Sequence, residues 1–473
     1  MNWFVFWIIV YLGILIYFTL KHVKYTDIDG YLINNRKTST FALVFTTLAT
    51  FVGGGVCMGL IAMGFTSGFA AVAVGLAYVI GFFLLFFFAA KIRRIGVERN
   101  IYSFAEFLNR SYINENDGNA FPKVFSGLIS GINIVIFFFL TAAQFVGMAT
   151  LLSYAFDVGY VYAAGISFLI VILYTALAGL SGVIITDIIQ FSVICFMIVF
   201  VFIPGIWIDT DGFTGLNSLP ETFLNGSHEG WVFLIALPLL LSPSVLTRMD
   251  IWQRILAAGS EKIAKKTAII SGVSMLPFYL IFPLVGMAVR LNLGADVDSN
   301  DAMHLFLERN TGQFLLGFSI IGLLAALMSS ADSFLNIVAI TAIRDFSSWK
   351  NTTASKPLHF KRIRIAVVVF GAVALGMALY FADIVELFIA GITLNIIFAP
   401  VCLFALLKRD AFKYKYVAFY SILSGTVVIA IMFIIGFTNT DSGLLKIAFI
   451  PATLVSAIVL LIGAYGMRFY DVK

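Results

Sequence analysis

Charge is what this sequence has least of. Only 12% of its 473 residues are Asp, Glu, Lys or Arg, about half the roughly 25% of a soluble domain. Histidine is scarcer still: His22, His228, His304 and His359 are the only four, and all lie outside the long apolar runs. That argues against haem, histidine-ligated zinc or a histidine proton relay within those runs. The three cysteines, Cys57, Cys195 and Cys402, sit singly in apolar runs without paired spacing. They read as small buried hydrophobes with no redox message. No arginine occurs in the middle of any apolar run. No soluble catalytic domain has room, because the longest segments between runs (97–121, 209–230, 291–313 and 344–361) hold about 20 to 30 residues. With no nucleophile–base pair or metal-spaced cluster in the apolar part, an intramembrane enzyme is not expected.

What is there is hydrocarbon. Hydrophobic residues make up 61% of the chain and the mean hydropathy is +1.01. Apolar runs of about 20 residues recur from end to end, each long enough to cross ~30 Å of bilayer as a helix. The alternating ten-residue pattern of a barrel is absent. The expected fold is an all-α polytopic membrane protein with thirteen spans near 2–20, 39–64, 69–91, 122–154, 158–180, 183–208, 231–248, 267–290, 314–343, 362–381, 384–407, 413–437 and 444–467. The 122–154 stretch is long enough to be bent. The first span has no basic leader and no small-residue cleavage site, so it reads as a helix rather than a signal peptide.

Lysine and arginine then orient the chain. Lys21 and Lys24 follow the first span and no basic residue precedes it, which puts the N-terminus outside. Alternating from there, only Arg290, Arg309 and Lys446 fall in external segments. The clusters "KIRRIGVER", "EKIAKK" and "KRIR" all fall inside, as does the C-terminus, while "DTDGF" and "ADVDSND" place acids outside. The net charge of +5 is thus an orientation signal and not a nucleic-acid patch.

Two spans carry helix-weakening residues. In "FALVFTTLATFVGGGVCMGLIAMGF" Gly53, Gly54 and Gly55 fall at the middle, and each costs about 1 kcal/mol in a helix relative to Ala. In "WVFLIALPLLLSPSVLTRMD" Pro238 and Pro243 interrupt the run. Taken singly, the glycines read as close packing and the prolines as a kink. The two spans are, however, the second and the seventh. An offset of five crossings reverses direction, so the breaks enter from opposite sides, which is the sequence sign of an inverted-repeat transporter with a mid-membrane site.

The ninth span, "GLLAALMSSADSFLNIVAI" (322–340), places a carboxylate where hydrocarbon should surround it. Ser329, Asp332, Ser333 and Asn336 recur at i, i+3, i+4 and i+7 and share one helix face, flanked by Ala326 and Ser330. Oxygen ligands of this kind suit a hard monovalent cation. A second intramembrane acid, Asp187 in "GVIITDIIQFSVI", has Thr186 before it and Gln190 one turn on. Both acids default to an ion-pathway role. The bland alternatives are a helix-N-terminal acid at Asp187 and a structural or protonated carboxyl at Asp332. Sodium and a proton both remain open at Asp332.

The segments "ATFVGGG" (49–55), "GLSGVIITDIIQ" (179–190), "WQRILAAGSEKIAKK" (252–266) and "GLLAALMSSADS" (322–333), in this order and spacing, resemble the sodium/solute symporter family over nearly the whole chain. The resemblance implies a leucine-transporter-type core of two inverted five-helix repeats, with one helix before and two after. The repeats would span 39–208 and 209–410, between an N-terminal segment (1–38) and two C-terminal helices (411–473). It implies sodium as the coupling ion, held by the carbonyls of Ala49, Val52 and Ala326 and the hydroxyls of Ser329 and Ser330. A second sodium or a proton would use Asp187, Asp332 and Ser333, with Asp332 standing where the family's sialic acid carriers have serine. The run "RMDIWQRILAAGSEKIAKK" resembles the family's cytoplasmic segment after the seventh span, and the inside rule alone accounts for its charges.

By the same resemblance a small organic solute would bind near Thr50, Gly53, Gly54, Tyr78, Gln144 and the 235–244 stretch. With no mid-span arginine as a carboxylate clamp and an aliphatic seventh span, it would be neutral, zwitterionic or a monocarboxylate. The expected activity is sodium-driven import by alternating access in a bacterial cytoplasmic membrane, by a carrier that works as a monomer. The rivals are proton coupling through Asp187 and Asp332, and a transporter-like sensor. The sensor reading lacks a cytoplasmic output domain, since about six residues follow the last span.

Overall fold

A computed structural model of the protein describes residues 3–22, 28–114, 118, 120–176, 180–345, 360–438 and 442–470. Among them no strand occurs, only one isolated bridge between Thr38 and Ala258. In lipid the backbone must bond within its own segment, and apolar runs of this length answer as helices. These are α1 (Trp3–His22), α2 (Thr40–Phe51), α3 (Gly54–Ser67), α4 (Ala70–Glu98), α5 (Ala120–Phe156), α6 (Tyr160–Thr175), α7 (Leu180–Met197), α8 (Trp231–Ala236) and α9 (Met249–Ala257). They continue as α10 (Glu261–Leu293), α11 (Gln313–Ile343), α12 (Phe360–Tyr380), α13 (Ile384–Ile396), α14 (Ala399–Leu407), α15 (Lys415–Thr438) and α16 (Phe449–Tyr470).

The all-α membrane class expected from sequence is what folds. Nine helices among the described residues are long and apolar enough to cross a bilayer, or eleven when each of two bent pairs counts as one crossing. Trp3–Thr19 and Tyr160–Thr175 are apolar but shorter, and a count of thirteen requires both. The 122–154 stretch is one continuous helix: α5 runs unbroken for 37 residues. The two bent pairs are α2 with the following helix (47°) and Trp231–Leu246 with α9 (50°). They fall in the two spans marked by the Gly triplet and by Pro238 and Pro243, five crossings apart.

Local chemistry sets the boundaries. The Ser39 hydroxyl accepts from the Ala42 amide and opens α2, and Ser260 does the same for α10 through Ile263, each cap contributing about 1 kcal/mol. After α8 the chain winds wider over Leu237–Leu241 and tighter over Ser242–Leu246, where Pro238 and Pro243 each withhold an amide hydrogen.

The core gathers around α11, whose most apolar window is 78% buried against at most 67% in any other span. It packs on α5, α7 and α1, while α10 packs along α3 and α4. The α3–α10 contact is backbone on backbone: a Cβ at Gly286 would lie 2.0 Å from the Ile61 carbonyl oxygen, and one at Gly64 would lie 2.3 Å from that of Pro283. Around the outside, Phe87, Tyr162, Leu173, Val232 and Leu239 stand exposed, an apolar belt facing lipid.

Candidate ion and solute site

The first helix break meets the serine face of α11. Val52 caps α2, Gly53 is extended (φ −60°, ψ −179°), and α3 starts at Gly54. A break of this kind leaves the last carbonyls of the first helix without intrahelical donors. Side chains of α11 supply them. The Ser329 hydroxyl lies 2.9 Å from both the Ala49 and Ala326 carbonyls. That of Ser330 donates to the Thr50 carbonyl at 2.8 Å and lies 3.4 Å from Ala326 O. Glycine at 53 is what permits the approach, since a Cβ there would lie 1.7 Å from Ser330 Oγ. Ala49, Val52, Ala326, Ser329 and Ser330 are all buried; the Ala49, Ala326, Ser329 and Ser330 oxygens come together, and Val52 caps the helix beside them.

The second break is closed differently. Trp252 Nε1 donates to the Leu246 carbonyl at 2.6 Å and Asn395 Nδ2 to that of Ser244 at 2.9 Å. Arg248, at its foot, pairs with Asp250 through two bonds of 3.0 and 2.7 Å. Its guanidinium lies 4.0 Å from the Phe51 ring centroid.

Asp187 and Ser333 also meet, around a residue the sequence reading left outside. Arg254 of α9 is 2% exposed and donates to the Thr46 carbonyl (3.2 Å) and to the hydroxyls of Thr46 (3.1 Å), Thr50 (2.5 Å) and Ser333 (3.2 Å). It stands 3.6 Å from Asp187 Oδ2, which also accepts from the Thr46 hydroxyl. Asp187 Oδ1, both oxygens of Asp332 and the Gln190 amide oxygen are buried without a standard hydrogen bond among the described residues. Tyr11 of α1 and Tyr174 of α6 close the far side: Gln190 Nε2 donates to Tyr11 Oη at 3.1 Å and Tyr174 donates to the Met328 carbonyl at 3.1 Å.

Sequence reasoning missed Arg254 because "WQRILAAGSEKIAKK" satisfies the inside rule. Lys262, Lys265 and Lys266 are indeed exposed, but all of α9 is buried. The available signal was the apolar "IWQRILAA" around the arginine, too hydrophobic for an interfacial face.

A cavity of about 300 Å³ opens beside the break. Val56, Gly59 and Leu60 of α3, Tyr78 of α4, Leu237 and Tyr279 wall it, together with Asn300, Glu386 and Lys446. The rings of Tyr78 and Tyr279 are stacked with centroids 6.2 Å apart, and the Tyr78 hydroxyl has no hydrogen-bond partner among the described residues. Of the expected solute residues, Tyr78 and, from the 235–244 stretch, Leu237 and Leu241 reach this wall. Thr50 and Gly53 face Arg254 and Ser330, and Gln144 donates to the Leu140 carbonyl of its own helix at 3.2 Å. Gly54 starts α3 beside the cavity's Val56.

Residues 31–425 match the profile of the Sodium:solute symporter family. The chain belongs to that family. It is a secondary transporter that couples sodium to a small solute across a membrane, and sodium is its coupling ion. It is similar to a sodium/proline symporter of Staphylococcus aureus, 26% identical over 92% of this chain and 86% of that one. Its likeness to sodium/proline symporter 2 of Staphylococcus saprophyticus is 24% identity over 78% and 75% of the two chains. Among solved structures, a Na+-coupled sialic acid symporter in a substrate-bound outward-open state matches with a TM-score of 0.75 at 18% identity, over 98% of this chain and 97% of that one. A nucleobase-cation-symport-1 transporter in a closed conformation matches at 0.56 and 17% identity, over 94% and 96%. Both matches show a shared inverted-repeat transporter fold.

Proposed function

We propose that the coupling sodium binds where α2 breaks, held by the carbonyls of Ala49, Val52 and Ala326 and the hydroxyls of Ser329 and Ser330. The observation that carries this reading is the convergence of Ser329 and Ser330 on carbonyls a broken helix leaves without amide donors. An ion entering there takes the lone pairs that now accept from the hydroxyls, and the hydroxyls turn their own oxygens toward it. A dehydrated monovalent cation is then met by neutral oxygens with no further charge to compensate.

The solute is a small neutral or zwitterionic molecule seated in the Tyr78–Tyr279 cavity. Support comes from a wall largely of aliphatic and aromatic side chains, in which Glu386 and Lys446 are among the few charged ones. The α3 N-terminus lies next to the cavity and favours an anionic group such as a solute carboxylate, and the related staphylococcal carriers move proline. The cavity opens beside Asn300, in a segment that the inside rule puts outside. This face is therefore the entry face of an importer with an external N-terminus, in a bacterial cytoplasmic membrane and working as a monomer. The repeats 39–208 and 209–410 rock against each other around the ion, between the extra helices of 1–38 and 411–473.

Uptake of radiolabelled L-proline, and of a panel of neutral and zwitterionic solutes first ranked by thermal shift in sodium, tests this in proteoliposomes. We expect uptake driven by a sodium gradient at clamped pH, and Ser329→Ala to raise the sodium concentration for half-maximal uptake at least tenfold. Uptake indifferent to sodium, or unchanged in Ser329→Ala, would reject the assignment.

A further inference from the structure

One acid on the cavity wall has no partner among the described residues. Asp383 caps α13, and its Oδ1 accepts from the Glu386 amide at 2.8 Å. An acid three residues after such a cap ordinarily reaches back to the amides at the helix start. The chain makes that closure elsewhere. At the start of the helix Phe104–Tyr112, Ser103 accepts from the Glu106 amide and the Glu106 carboxylate accepts from the Tyr102 amide, both at 3.0 Å. Glu386 makes no such return, and among the described residues no hydrogen bond or ion pair reaches its carboxylate. Lys446 also lines the cavity, but it is paired with Glu229 at 3.4 Å. Glu386, Ile389 and Thr393 recur at i, i+3 and i+7 and all line the cavity, so Glu386 stands on the face that α13 turns to it.

We propose that Glu386 is a specificity-determining residue that binds a positively charged, alkyl-substituted nitrogen of the solute, which is then a zwitterion of the imino-acid or betaine kind. The inference rests on the Tyr78–Tyr279 cavity being the solute site. Charge favours it: Lys446 and Glu229 offset each other, and Asp383 and Glu386 leave the wall negative. The rest of the wall says what kind of cation fits. Tyr78, Phe233, Tyr279, Phe388 and Phe449 line the same space, and ring faces attract cations, alkylated ammonium groups above all. An inorganic cation would instead need several oxygens around it, which an aromatic wall does not supply. The buried Tyr78 hydroxyl, without a partner among the described residues, can accept from an N–H of the same group. With the solute carboxylate toward the α3 N-terminus, its nitrogen lies on the Glu386 side and supplies the counter-charge that the chain itself withholds.

Binding of matched pairs to the purified full-length carrier in sodium, read by thermal shift, tests this. Each pair sets a cationic solute beside its nitrogen-free isostere: L-proline with cyclopentanecarboxylate, L-pipecolate with cyclohexanecarboxylate, and glycine betaine with 3,3-dimethylbutanoate. In the wild type at least one cationic member should bind about tenfold or more tighter than its isostere, as a hydrogen bond or contact to a charged group implies. Glu386→Gln should erase that preference by weakening the cationic member alone, and Glu386→Ala reads the same ratio where the glutamine variant fails to fold. A wild type that binds none of the three cationic solutes, or binds the isosteres as tightly, would overturn the proposal, as would a preference that persists in either folded variant. Gly59 provides the separate control, because an added Cβ there would meet only Val385 Cγ2, at 4.0 Å. Gly59→Leu fills the cavity and should abolish binding of both members of a pair. Undiminished binding in that variant would instead unseat the cavity as the solute site.

Discussion

Asp345 lies just past the C-terminal end of α11, fully buried, and accepts from Ser103 Oγ at 2.9 Å. Burial pushes its carboxyl from the usual 3.8 up to about 7, against partial relief from the Arg344 guanidinium. The folded chain therefore holds this proton more tightly than the unfolded one. Stability from that difference is fully present at low pH and is lost as pH rises from about 4 through about 7. Asp345→Asn is neutral at every pH and escapes the loss. Its melting temperature should move above the wild type's as pH rises from 5 to 8, a change worth on the order of 3 kcal/mol at most, since only the interval from pH 5 to about 7 contributes, at 1.36 kcal/mol per pH unit. A gap that ignores pH would reject buried ionisation as the cause. At this same scale the sequence was legible where a residue declares itself through its neighbours in the chain. Ser329 lies on a periodic polar face that Ser330 flanks, and Gly53 lies in a triplet, so each was readable from spacing, while their meeting was implied only by the family resemblance. Arg254 was not, because its partners Thr46, Thr50, Asp187 and Ser333 come from three other helices, and the apolar residues beside it hint at burial without naming them.

Helices meet here by two devices, and they fail differently. Where α10 crosses α3, the glycines put backbones in contact: added carbons at Gly286 and Gly64 would fall 2.0 and 2.3 Å from carbonyl oxygens. Small residues at such a crossing replace the missing hydrophobic drive between helices in lipid. Gly286→Ala should therefore lower thermal stability by roughly 1–3 kcal/mol, the usual cost of overpacking, and move the outer half of the broken helix that walls the cavity. At Gly165 of α6 and Gly376 of α12 an added Cβ would meet nothing within 4 Å. Alanine there should be neutral, or stabilise by up to about 1 kcal/mol through helix propensity. Thermal unfolding in detergent separates the two cases, and equal effects at all three sites would refute backbone contact as the reason for Gly286. Element types and approximate ends were readable because hydrocarbon length and capping serines are local. The unbroken course of α5 was not, since no single residue in it says whether a 37-residue run bends. The same holds for α9, whose basic neighbours suggested a surface helix while its own apolar residues are buried.

Taken as a whole, the chain holds one asymmetric state. The Tyr78–Tyr279 cavity is lined by Asn300 and Lys446 among others, while beside the break Arg254, Thr46, Thr50 and Ser333 bond across α2, α9 and α11. An ion between Ala49 and Ser329 binds best where α2 and α11 are in contact, so sodium alone should favour this arrangement, outward-open in the orientation proposed above, over its alternative. One sodium then supplies about 2.3 kcal/mol from a 100 mV potential and about 1.4 kcal/mol from a tenfold gradient. Together these support roughly 500-fold solute accumulation, a limit that a second ion would square. Thr66 lies exposed near the cavity mouth, and of the native cysteines Cys57 and Cys402 are buried and Cys195 is half-buried. In a Cys195→Ser background, Thr66→Cys should react with a membrane-impermeant thiol reagent added outside, several-fold faster in sodium than in potassium. Ser329→Ala should erase that difference while leaving the potassium rate unchanged. Labelling only from the cytoplasmic face would invert the proposed orientation. Labelling equal in the two salts would mean that the ion does not bias the outward state, and the coupling would then have to arise at a later step of the cycle.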